Sequence, residues 1–411
     1  MWRTEKGIQF LKNRAKHERF WKIYGNTSII FCFITMVLMT ALMIMTAWLV
    51  FGFTPAQRNA LPGPEVALVL PGINPILPLE YLGYVLLGLI IAIMVHEFSH
   101  GILALADKLK VKSLGILYLI VPIGAFCEPD DEEVKKARIL SRMRIYAAGP
   151  AANFVVVLIS ILLFSLVFMS AVQPAADGVS VLTVVKDAPV ATIGLAPGMI
   201  LTSINDTKIT NQTEFSKEVE KLHAGLPTNI TYVKGLKKFT SIVIPADRYN
   251  YTKNLSNKGQ GYLGVYTSNI HKGFLTFLKN PFSSFPDGFL LYYSLPLWGY
   301  FNGYNPIVTP FTDSYVITGP LGVLPTPLFW IIINAIYWIF WLNLAVSLFN
   351  VLPMVPLDGG FLFNDGVRAV IIRLKKGIKE ETKEKIVKNV SLAISLVILG
   401  LILLPFFIKY V

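Results

Sequence analysis

An H-E-x-x-H pattern, formed by His96, Glu97 and His100, lies inside a long apolar segment. If that segment is a helix, a spacing of four residues turns through about 400°, so both imidazoles lie on one face and can bind one metal ion. Glu97 then lies beside the open position of the metal, where a carboxylate can act as a general base. Ionisable side chains inside a membrane span cost at least about 2.5 kcal/mol each, which disfavours the alternative that these three are ordinary core residues.

A catalytic zinc ion takes three protein ligands and leaves its fourth position to water, so the pattern needs one more ligand. Three further histidines lie in a basic N-terminal tail or in a polar insertion: His17, His223 and His271. Asp358 is the better candidate, because it follows a later apolar segment that reaches the same end of the membrane as His96 and His100. Pro353 and Pro356 would end that segment just before it. The alternative for this stretch is an ordinary loop turn.

The composition of the 411-residue chain is too apolar for an ordinary soluble enzyme and favours a membrane protein. Hydrophobic residues make up 54% of it, charged residues 15%, and the mean hydropathy is +0.57. The net charge of +12 is compatible with nucleic-acid binding, but basic cytoplasmic loops give the same total, and we expect no nucleic-acid partner. Two cysteines, Cys32 and Cys127, cannot form a disulfide framework. Because no secretory cleavage signal is recognised, the first apolar run is expected to remain as an anchor.

Five segments are apolar enough to cross a bilayer as helices, which takes about 20 residues. They are residues 29–53, 81–105, 145–172, 328–349 and 390–407. A sixth apolar segment, residues 281–301, is interrupted by Pro286 and Pro296, so we predict an interfacial or re-entrant element there. Residues 113–127 are apolar but too short and too broken to cross, and they predict a hairpin that dips into the membrane.

Basic residues set the expected orientation, since short cytoplasmic loops are enriched in Lys and Arg. Residues 1–27, 107–144 and 361–388 together hold 23 of the 37 basic residues, whereas residues 54–80 hold one. The N-terminus and the active-site end are therefore expected in the cytoplasm, and the C-terminus outside it. Residues 173–272 are polar, with strand-like alternation and turn residues, and predict a separate extracytoplasmic domain.

The fold class predicted from these features is an α-helical polytopic membrane protein with an inserted extracytoplasmic α+β domain. The contact of its spans with membrane lipid follows from that class. The expected division is a basic N-terminus with the first span (1–53), a first part of the membrane core (81–173), the inserted domain (174–272), an interfacial or re-entrant segment (273–327), a second part of the core (328–360) and a basic segment with the last span (361–411).

Two motifs together resemble the site-2 protease family of intramembrane zinc metalloproteases: H-E-F-S-H-G at residues 96–101 and N-x-x-P-x-x-P-L-D-G-G at residues 350–360. Three other stretches resemble the family in the same order. They are V-P-I-G-A-F at 121–126, similar to its membrane-inserted hairpin; A-G-P-A-A-N-F at 148–154, similar to the start of its central helix; and G-P-L-G-V at 319–323, ahead of its last core helix. The resemblance covers the membrane core from about residue 81 to residue 360.

The resemblance implies a cofactor and a mechanism. One zinc ion per chain would be bound by His96, His100 and Asp358, and Glu97 would be the general base. The implied substrate is a transmembrane segment of another protein, whose helix has to unwind before a peptide carbonyl can reach the metal. Pairing with the edge of the hairpin could hold that segment extended.

Two asparagines are candidates for contact with the substrate. Asn153 is polar within the third predicted span, and Asn350 begins the motif that contains Asp358. Either amide could bond the substrate backbone or the oxyanion. For Asn153, a hydrogen bond between helices is the alternative.

The inserted domain resembles a PDZ domain. The stretches that carry the resemblance are A-P-V-A at 188–191, G-L-A-P-G-M-I at 194–200 and S-I-N at 203–205. G-Y-L-G-V at residues 261–265 is similar to the loop of that fold that binds a peptide carboxylate, although it follows the body of the domain, as in circularly permuted bacterial PDZ domains. This implies that the amides of Leu263, Gly264 and Val265 bind the end of a peptide ligand. The alternative is a size filter that binds nothing.

Three other functions stay open on the residues alone. A membrane-anchored zinc protease that cleaves soluble or misfolded proteins at the cytoplasmic surface would take a glutamate as third ligand, for which Glu128 or the cluster at residues 380–384 would serve. A metal transporter would need further polar residues across the bilayer. A PDZ scaffold without catalysis would not need Glu97.

Overall fold

A computed structural model of the chain describes residues 2–3, 5–61, 63–118, 122–375 and 377–410. The chain forms two compact units. Unit 1 comprises Met1–Ser160 and Tyr337–Val411, and unit 2 comprises Ile161–Ile336. The H-E-x-x-H pattern and Asp358 therefore belong to unit 1, and the inserted domain belongs to unit 2.

Helices dominate unit 1, and most of the strands belong to unit 2. The α-helices are, in chain order, α1 (Glu5–Ala15), α2 (Glu18–Phe51), α3 (Pro55–Asn59), α4 (Leu82–Ala106), α5 (Asp131–Lys136), α6 (Ile139–Leu162), α7 (Gln212–Glu220), α8 (Tyr249–Thr252), α9 (Ile270–Lys279), α10 (Asp287–Tyr293), α11 (Leu295–Asn302), α12 (Thr326–Asn350), α13 (Asp358–Leu374) and α14 (Glu380–Ile408). The strands are β1 (Trp2–Arg3), β2 (Val111–Tyr118), β3 (Pro122–Pro129), β4 (Val172–Pro174), β5 (Val179–Val184), β6 (Ile200–Ile204), β7 (Thr207–Lys208), β8 (Thr228–Lys234), β9 (Lys237–Val243), β10 (Ala246–Asp247), β11 (Gly261–Tyr262), β12 (Val265–Ser268) and β13 (Tyr315–Ile317).

Among the described residues, five helical segments are long and apolar enough to cross a membrane. They are Glu18–Phe51, Leu79–Ala106, Ile139–Ala171, Thr326–Asn350 and Glu380–Ile408. The five predicted spans are thus confirmed as helices of an α-helical polytopic membrane protein. α2 and α14 begin earlier than their predicted spans, at Glu18 and Glu380, because a helix can continue in water beyond the roughly 20 residues that the hydrocarbon requires. The orientation of the termini stays a prediction.

The hairpin predicted at residues 113–127 is present as β2 and β3, which pair antiparallel with Gly115 opposite Phe126. Residues 119–121, and with them Val121 of the family-like stretch, lie outside the described residues. β1 pairs antiparallel with the other edge of β2, which makes a three-stranded sheet in the order β1-β2-β3. The depth of this sheet in the membrane stays a prediction.

An N-terminal helix, α1, packs against α4 behind the H-E-x-x-H pattern. Its Leu11 is fully buried, and a Cβ added to Gly101 of α4 would lie 2.8 Å from Leu11 Cδ1 and 2.5 Å from Cys127 Sγ. A glycine at this position therefore lets both α1 and the hairpin approach the backbone of α4 closely.

The segment after Asp358 was expected to be a basic cytoplasmic stretch, but it begins with a 17-residue helix, α13. Leu362 and Asp365 on this helix are buried, whereas Leu374 is exposed. Hydropathy alone misses such a helix. Charged residues lower its hydropathy even where they form buried ion pairs and the helix face packs against protein.

The predicted α+β insertion is confirmed as a domain of unit 2 with a PDZ-like arrangement. Its sheet has the strand order β12-β5-β6-β8-β9, with β7 paired to β6, and α7 adds the helical layer. Its core is built from inward-facing residues of several strands, among them Val181, Leu201, Ile204 and Ile230. β12 is at an edge of this sheet.

The segment between the inserted domain and α12 contains three short helices, α9 to α11. α10 and α11 are seven and eight residues long, so each rises only about 10–12 Å and falls short of the roughly 30 Å of hydrocarbon. Several of their apolar side chains are exposed, among them Leu290 and Phe301. An interfacial or re-entrant position for this segment stays a prediction.

Candidate metal centre

Three side chains that the sequence singled out lie together in unit 1. The Nε2 atoms of His96 and His100 are 2.9 Å and 3.3 Å from Oδ2 of Asp358. One ligand atom from each of the three residues lies within 4.8 Å of the other two. His96 and His100 are buried and Asp358 is nearly so. The three can therefore converge on one cation.

The helical spacing of the two histidines brings their rings together on one face of α4. The ring centroids are 4.8 Å apart and the ring planes are inclined by 78°. Gly149 of α6 lies opposite: an added Cβ would be 2.6 Å from His100 Nε2 and 2.7 Å from His96 Nε2. A glycine is thus required at 149, because any side chain would fill the space in front of both nitrogens.

A backbone contact selects the tautomer of His100. Its Nδ1 lies 2.7 Å from the carbonyl oxygen of Ile145, and a carbonyl only accepts, so Nδ1 carries the hydrogen. Nε2 then presents a lone pair, which is the arrangement found for metal-binding histidines. The Nδ1 atom of His96 is buried and has no hydrogen-bond partner among the described residues.

Asp358 is placed by the end of α12 and the start of α13. α12 ends at Asn350, a short loop follows, and Asp358 is the first residue of α13, where the helix dipole favours a carboxylate. A Cβ on Gly360 would lie 2.5 Å from the carbonyl carbon of Met354, and one on Gly359 would meet the backbone of Val351. The paired glycines therefore let α13 begin against the preceding loop.

Glu97 is held by the hairpin. Its Oε2 accepts a hydrogen bond of 3.0 Å from the backbone N–H of Cys127 in β3. The sequence could not predict this contact, because a backbone amide is not encoded by residue type. Burial, with the nearby Glu97 carboxylate, raises the pKa of the Cys127 thiol to about 12, so the thiol stays protonated and is a poor nucleophile.

The site opens into a cavity of about 570 Å³. Its walls contain His96, Glu97, His100 and Asp358, the hairpin residues Cys127 and Pro129, the α5 residues Asp131, Val134 and Lys135, and further Ile145, Tyr146, Asn350, Pro356 and Phe361. This volume is in the range of small-molecule and peptide sites. The charged residues of α5 give one part of the wall a polar character.

The two asparagines differ in position. Asn350 lines the cavity, and its Nδ2 donates to the carbonyl of Val346 at 3.0 Å. Asn153 is fully buried, and its amide has no partner among the described residues. It does not line the cavity. The substrate role of both stays a prediction.

Two of the glutamates considered as alternative ligands are engaged elsewhere. Glu128 accepts a hydrogen bond of 2.6 Å from Ser113, and Glu384 is bound by Arg368 at 2.7 Å. Among the described residues, His96, His100 and Asp358 form the group whose potential ligand atoms are close enough together to hold one metal ion.

The PDZ-like domain has its own cavity, of about 440 Å³, which is lined by Leu263, Gly264 and Val265. α7 contributes Phe215, Ser216, Val219 and Glu220 to its walls, and Arg248 and Tyr251 also line it. Gly264 has a φ of +80°, and a Cβ on it would meet the Cβ of Ala188. The three residues predicted to bind a peptide end therefore lie in a groove next to the edge strand β12.

These observations define a class of protein: a polytopic membrane protein with a buried His-His-Asp group and an adjacent glutamate, the set of side chains of a metalloprotease. The model of peptidase family M50 matches residues 84–398. The chain therefore belongs to peptidase family M50, a family of zinc metalloproteases, and the resemblance to site-2 proteases is confirmed.

Two relatives show how far the similarity extends. The chain is 27% identical over 410 residues to an uncharacterized protein of Methanocaldococcus jannaschii, which covers 98% of this chain and 88% of that protein. It is 26% identical over 238 residues to a candidate zinc metalloprotease of Agrobacterium fabrum, which covers 57% of this chain and 61% of that protein. The chain thus matches less than two thirds of the length of the Agrobacterium protein.

Two solved structures are similar to part of the chain. They are PDZ domains of SdrC-like proteins from Listeria monocytogenes and Listeria innocua, which are 23% and 25% identical. Each covers 22% of this chain, and the matches cover 88% and 93% of those domains, with a TM-score of 0.19 in both cases.

Proposed function

We propose that this protein is a zinc-dependent intramembrane protease that hydrolyses peptide bonds within or next to the transmembrane segments of other membrane proteins. The observation that carries the proposal is the convergence of His96, His100 and Asp358, with Glu97 beside them, in a unit whose long helices are apolar enough to cross a bilayer. Membership of peptidase family M50 supports the hydrolytic chemistry.

The residues fit one zinc ion per chain. Catalytic zinc sites use imidazole nitrogen and carboxylate oxygen from three residues and keep one position open. His100 presents the correct nitrogen, since Ile145 holds the opposite one, and Gly149 keeps the space before both Nε2 atoms free of side chains. A zinc ion bound there supplies Lewis acidity, which activates water and polarises a carbonyl.

Glu97 is the general base of the proposal. The amide of Cys127 holds one of its oxygens, which orients the carboxylate and leaves the other oxygen to take a proton from water and return it to the leaving amine. The histidines beside Glu97 are buried, so the proton transfer takes place in partly desolvated surroundings, where electrostatic interactions are stronger.

The substrate is bound extended in this proposal. A peptide carbonyl inside a helix is already hydrogen-bonded, so the target helix has to unwind before its carbonyl can approach the site. A substrate strand that pairs with the hairpin would be aligned relative to Glu97, because β3 itself bonds Glu97 through Cys127. Asn350, on the cavity wall, has a further N–H that can bond the substrate carbonyl.

We place the N-terminus and the active-site end of unit 1 in the cytoplasm, and the PDZ-like domain and the C-terminus on the opposite side. This orientation is supported by the basic residues, of which 23 of 37 lie in the segments assigned to the cytoplasm. The charged α5 residues Asp131 and Lys135 on the cavity wall agree with access of cytoplasmic water to the site.

A second function is favoured by the groove of the PDZ-like domain. The amides of Leu263, Gly264 and Val265 would bind the carboxylate of a peptide end, while the peptide extends the sheet beside β12. Arg248 on the wall of the groove adds a positive charge suited to a carboxylate. The domain would thereby bind a partner or a processed substrate.

The proposal is tested by incubating the purified full chain with a model transmembrane peptide, while its zinc content is measured. Glu97→Gln should keep the zinc and lower the cleavage rate by about 10²–10⁴-fold, the usual contribution of a general base. Full cleavage by zinc-loaded E97Q protein would refute the mechanism. Asp358→Ala should lose both zinc and cleavage, whereas a surface protease with a glutamate ligand would keep both.

A transporter is distinguished by metal flux. In liposomes that contain the protein, a zinc transporter would keep its flux in the Glu97→Gln variant, since transport needs no catalytic base. We expect no flux above that of protein-free liposomes for either the wild type or the variant.

A further inference from the structure

Asp365 of α13 is a fully buried carboxylate that forms three charge-assisted hydrogen bonds. Nε and Nη2 of Arg142 donate to its two oxygens at 2.9 Å and 2.6 Å, and Nη1 of Arg368 donates to Oδ1 at 2.8 Å. Only 1% of the Asp365 side chain and 14% of the Arg142 side chain are exposed. A bidentate pair of this kind fixes the direction as well as the distance between its partners.

The ion pair joins α6 to the helix that begins with Asp358. Asp365 is seven residues after Asp358 on α13, which corresponds to nearly two full turns, so both lie on one face about 10 Å apart along the axis. A rotation or shift of α13 that broke the Asp365–Arg142 contact would move Asp358 by a similar amount. The position of Asp358 is therefore coupled to this pair.

A second contact of the same two helices lies between the ion pair and the metal centre. Tyr146, four residues after Arg142, stacks on Phe361, four residues before Asp365, with ring centroids 5.3 Å apart. Because residues four apart share a face of a helix, the two contacts run along one seam between α6 and α13. Two contacts on one seam resist rotation of α13 about its axis.

The same part of α6 also holds His100. Ile145, three residues after Arg142, accepts the Nδ1–H of His100. One helical turn of α6 thus contacts His100 directly and holds α13, the helix that begins with Asp358.

Resting on the metal site proposed above, we propose that Asp365 and Arg142 are positioning residues, whose ion pair sets Asp358 against His96 and His100. The pair stabilises the metal-ready arrangement of α13 before the ion binds. Arg368 extends the pair to Glu384 of α14, with bonds of 2.8 Å and 2.7 Å, but Glu384 is 44% exposed, so this outer link is screened by solvent and contributes less.

The zinc affinity of the full-length protein, measured by competition with a chelator, tests this role. Asp365→Asn keeps the shape of the side chain but removes its charge, and we expect it to weaken zinc binding by about 10–100-fold, as for other residues that orient metal ligands. The thermal unfolding of each variant is measured without metal, so that general destabilisation is seen separately.

A matched control is provided by Asp107 and Arg144. This carboxylate is also buried, 5% exposed, and pairs at 3.2 Å with another arginine of α6, but neither residue lies on α13. Asp107→Asn should lower stability but change zinc affinity by no more than about 3-fold, because its ion pair does not hold α13 and a substitution away from such a contact has a small effect on the site. Equal losses of affinity in D107N and D365N proteins would mean that any buried ion pair of unit 1 has this effect, and would overturn the proposal.

If the D365N protein does not fold, Arg142→Lys tests the positioning role instead, because lysine keeps the positive charge but cannot form the two parallel hydrogen bonds to Asp365. R142K protein should bind zinc about 10-fold more weakly, and unchanged affinity would overturn the proposal. His96→Ala separates this failure from failure of the metal site itself. If the wild type and the H96A protein bind zinc equally, the proposed function is wrong. If the H96A protein loses zinc but the D365N and R142K proteins bind it as tightly as the wild type, only the positioning role is wrong.

Discussion

The Nδ1 atom of His100 lies 2.7 Å from the carbonyl oxygen of Ile145, four residues before Gly149 on α6. The contact fixes which nitrogen of His100 can bind a metal, and Gly149 stands in front of that nitrogen. The central helix α6 therefore forms the back wall of the site, although it contributes no ligand of its own. The positions of the ligands on α4 and α13 therefore depend on the backbone path of α6.

We predict that Gly149→Ala lowers zinc affinity by at least about 10-fold, as expected when the surroundings of a ligand are disturbed. The new methyl group would lie 2.6 Å from His100 Nε2, which forces the ring out of place. Chelator competition with the purified protein measures the loss.

The control for this substitution is Gly83→Ala on α4, where an added Cβ has no atom within 4 Å. Alanine there should fit without strain and leave zinc binding unchanged. Wild-type zinc affinity in the G149A protein would contradict the described packing of α6.

The hydrogen bond from Cys127 N–H to Glu97 predicts a difference between two substitutions of one residue. Cys127→Ala keeps the amide, whereas Cys127→Pro removes it. Since this N–H points to Glu97 and not to β2, proline costs the hairpin no ladder bond. We expect C127P protein to retain zinc and to cleave a model transmembrane peptide about 10²-fold more slowly, the effect of a misplaced catalytic group. C127A protein should cleave normally, and equal rates of the two variants would show that the amide does not position Glu97.

The sequence predicted the two histidines and Asp358 because their signal is local: an i, i+4 spacing on α4 and a proline–glycine motif after α12. It also predicted the five spans, since hydropathy reports the apolar surface directly. The amide of Cys127, the carbonyl of Ile145 and the space before Gly149 were beyond prediction, because they depend on backbone atoms brought together from distant segments.

α13 was missed for another reason. Its Asp365 and Arg368 count as solvated charges in a hydropathy profile, but three-dimensional packing buries Asp365 between Arg142 and Arg368. β1 was also missed, since a two-residue strand has no periodicity and exists only by pairing with β2. Both elements take their structure from tertiary contacts.

For the PDZ-like domain, we predict that a peptide with a free C-terminal carboxylate binds the full-length protein and that its amidated form binds at least about 10-fold more weakly, because a charge-assisted hydrogen bond contributes about 1.5–3 kcal/mol. Gly264→Ala should abolish the difference, since Gly264 has a φ of +80° and contacts Ala188. Gly225→Ala is the control, because Gly225 has the same φ but open space around it. Fluorescence anisotropy of labelled peptides measures each affinity, and equal binding of both peptide forms would support a size filter.

The stability of unit 2 should depend on pH through His271 of α9. This histidine is fully buried, and burial, reinforced by the nearby charge of Lys272, lowers its pKa to about 4. In the unfolded chain its pKa returns to about 6.5, so between pH 6.5 and pH 4 the unfolded state binds a proton that the folded state does not. The contribution of neutral, buried His271 to the free energy of unfolding is therefore fully present above about pH 6.5. It decreases as the pH is lowered, by up to about 3 kcal/mol near pH 4.

Denaturant unfolding of the full chain at saturating zinc, followed across that range, measures the slope. His271→Gln cannot take up the proton and should make the pH dependence between 6.5 and 4 shallower, even if it lowers stability at pH 7; the part of the slope that comes from zinc binding by His96 and His100 is the same in both proteins. His223→Gln, at an exposed histidine of the same unit, should leave the slope as in the wild type. An unchanged slope in the H271Q protein would mean that another group titrates, because the expected slope arises from His271, which is neutral in the folded protein and takes up a proton when the protein unfolds.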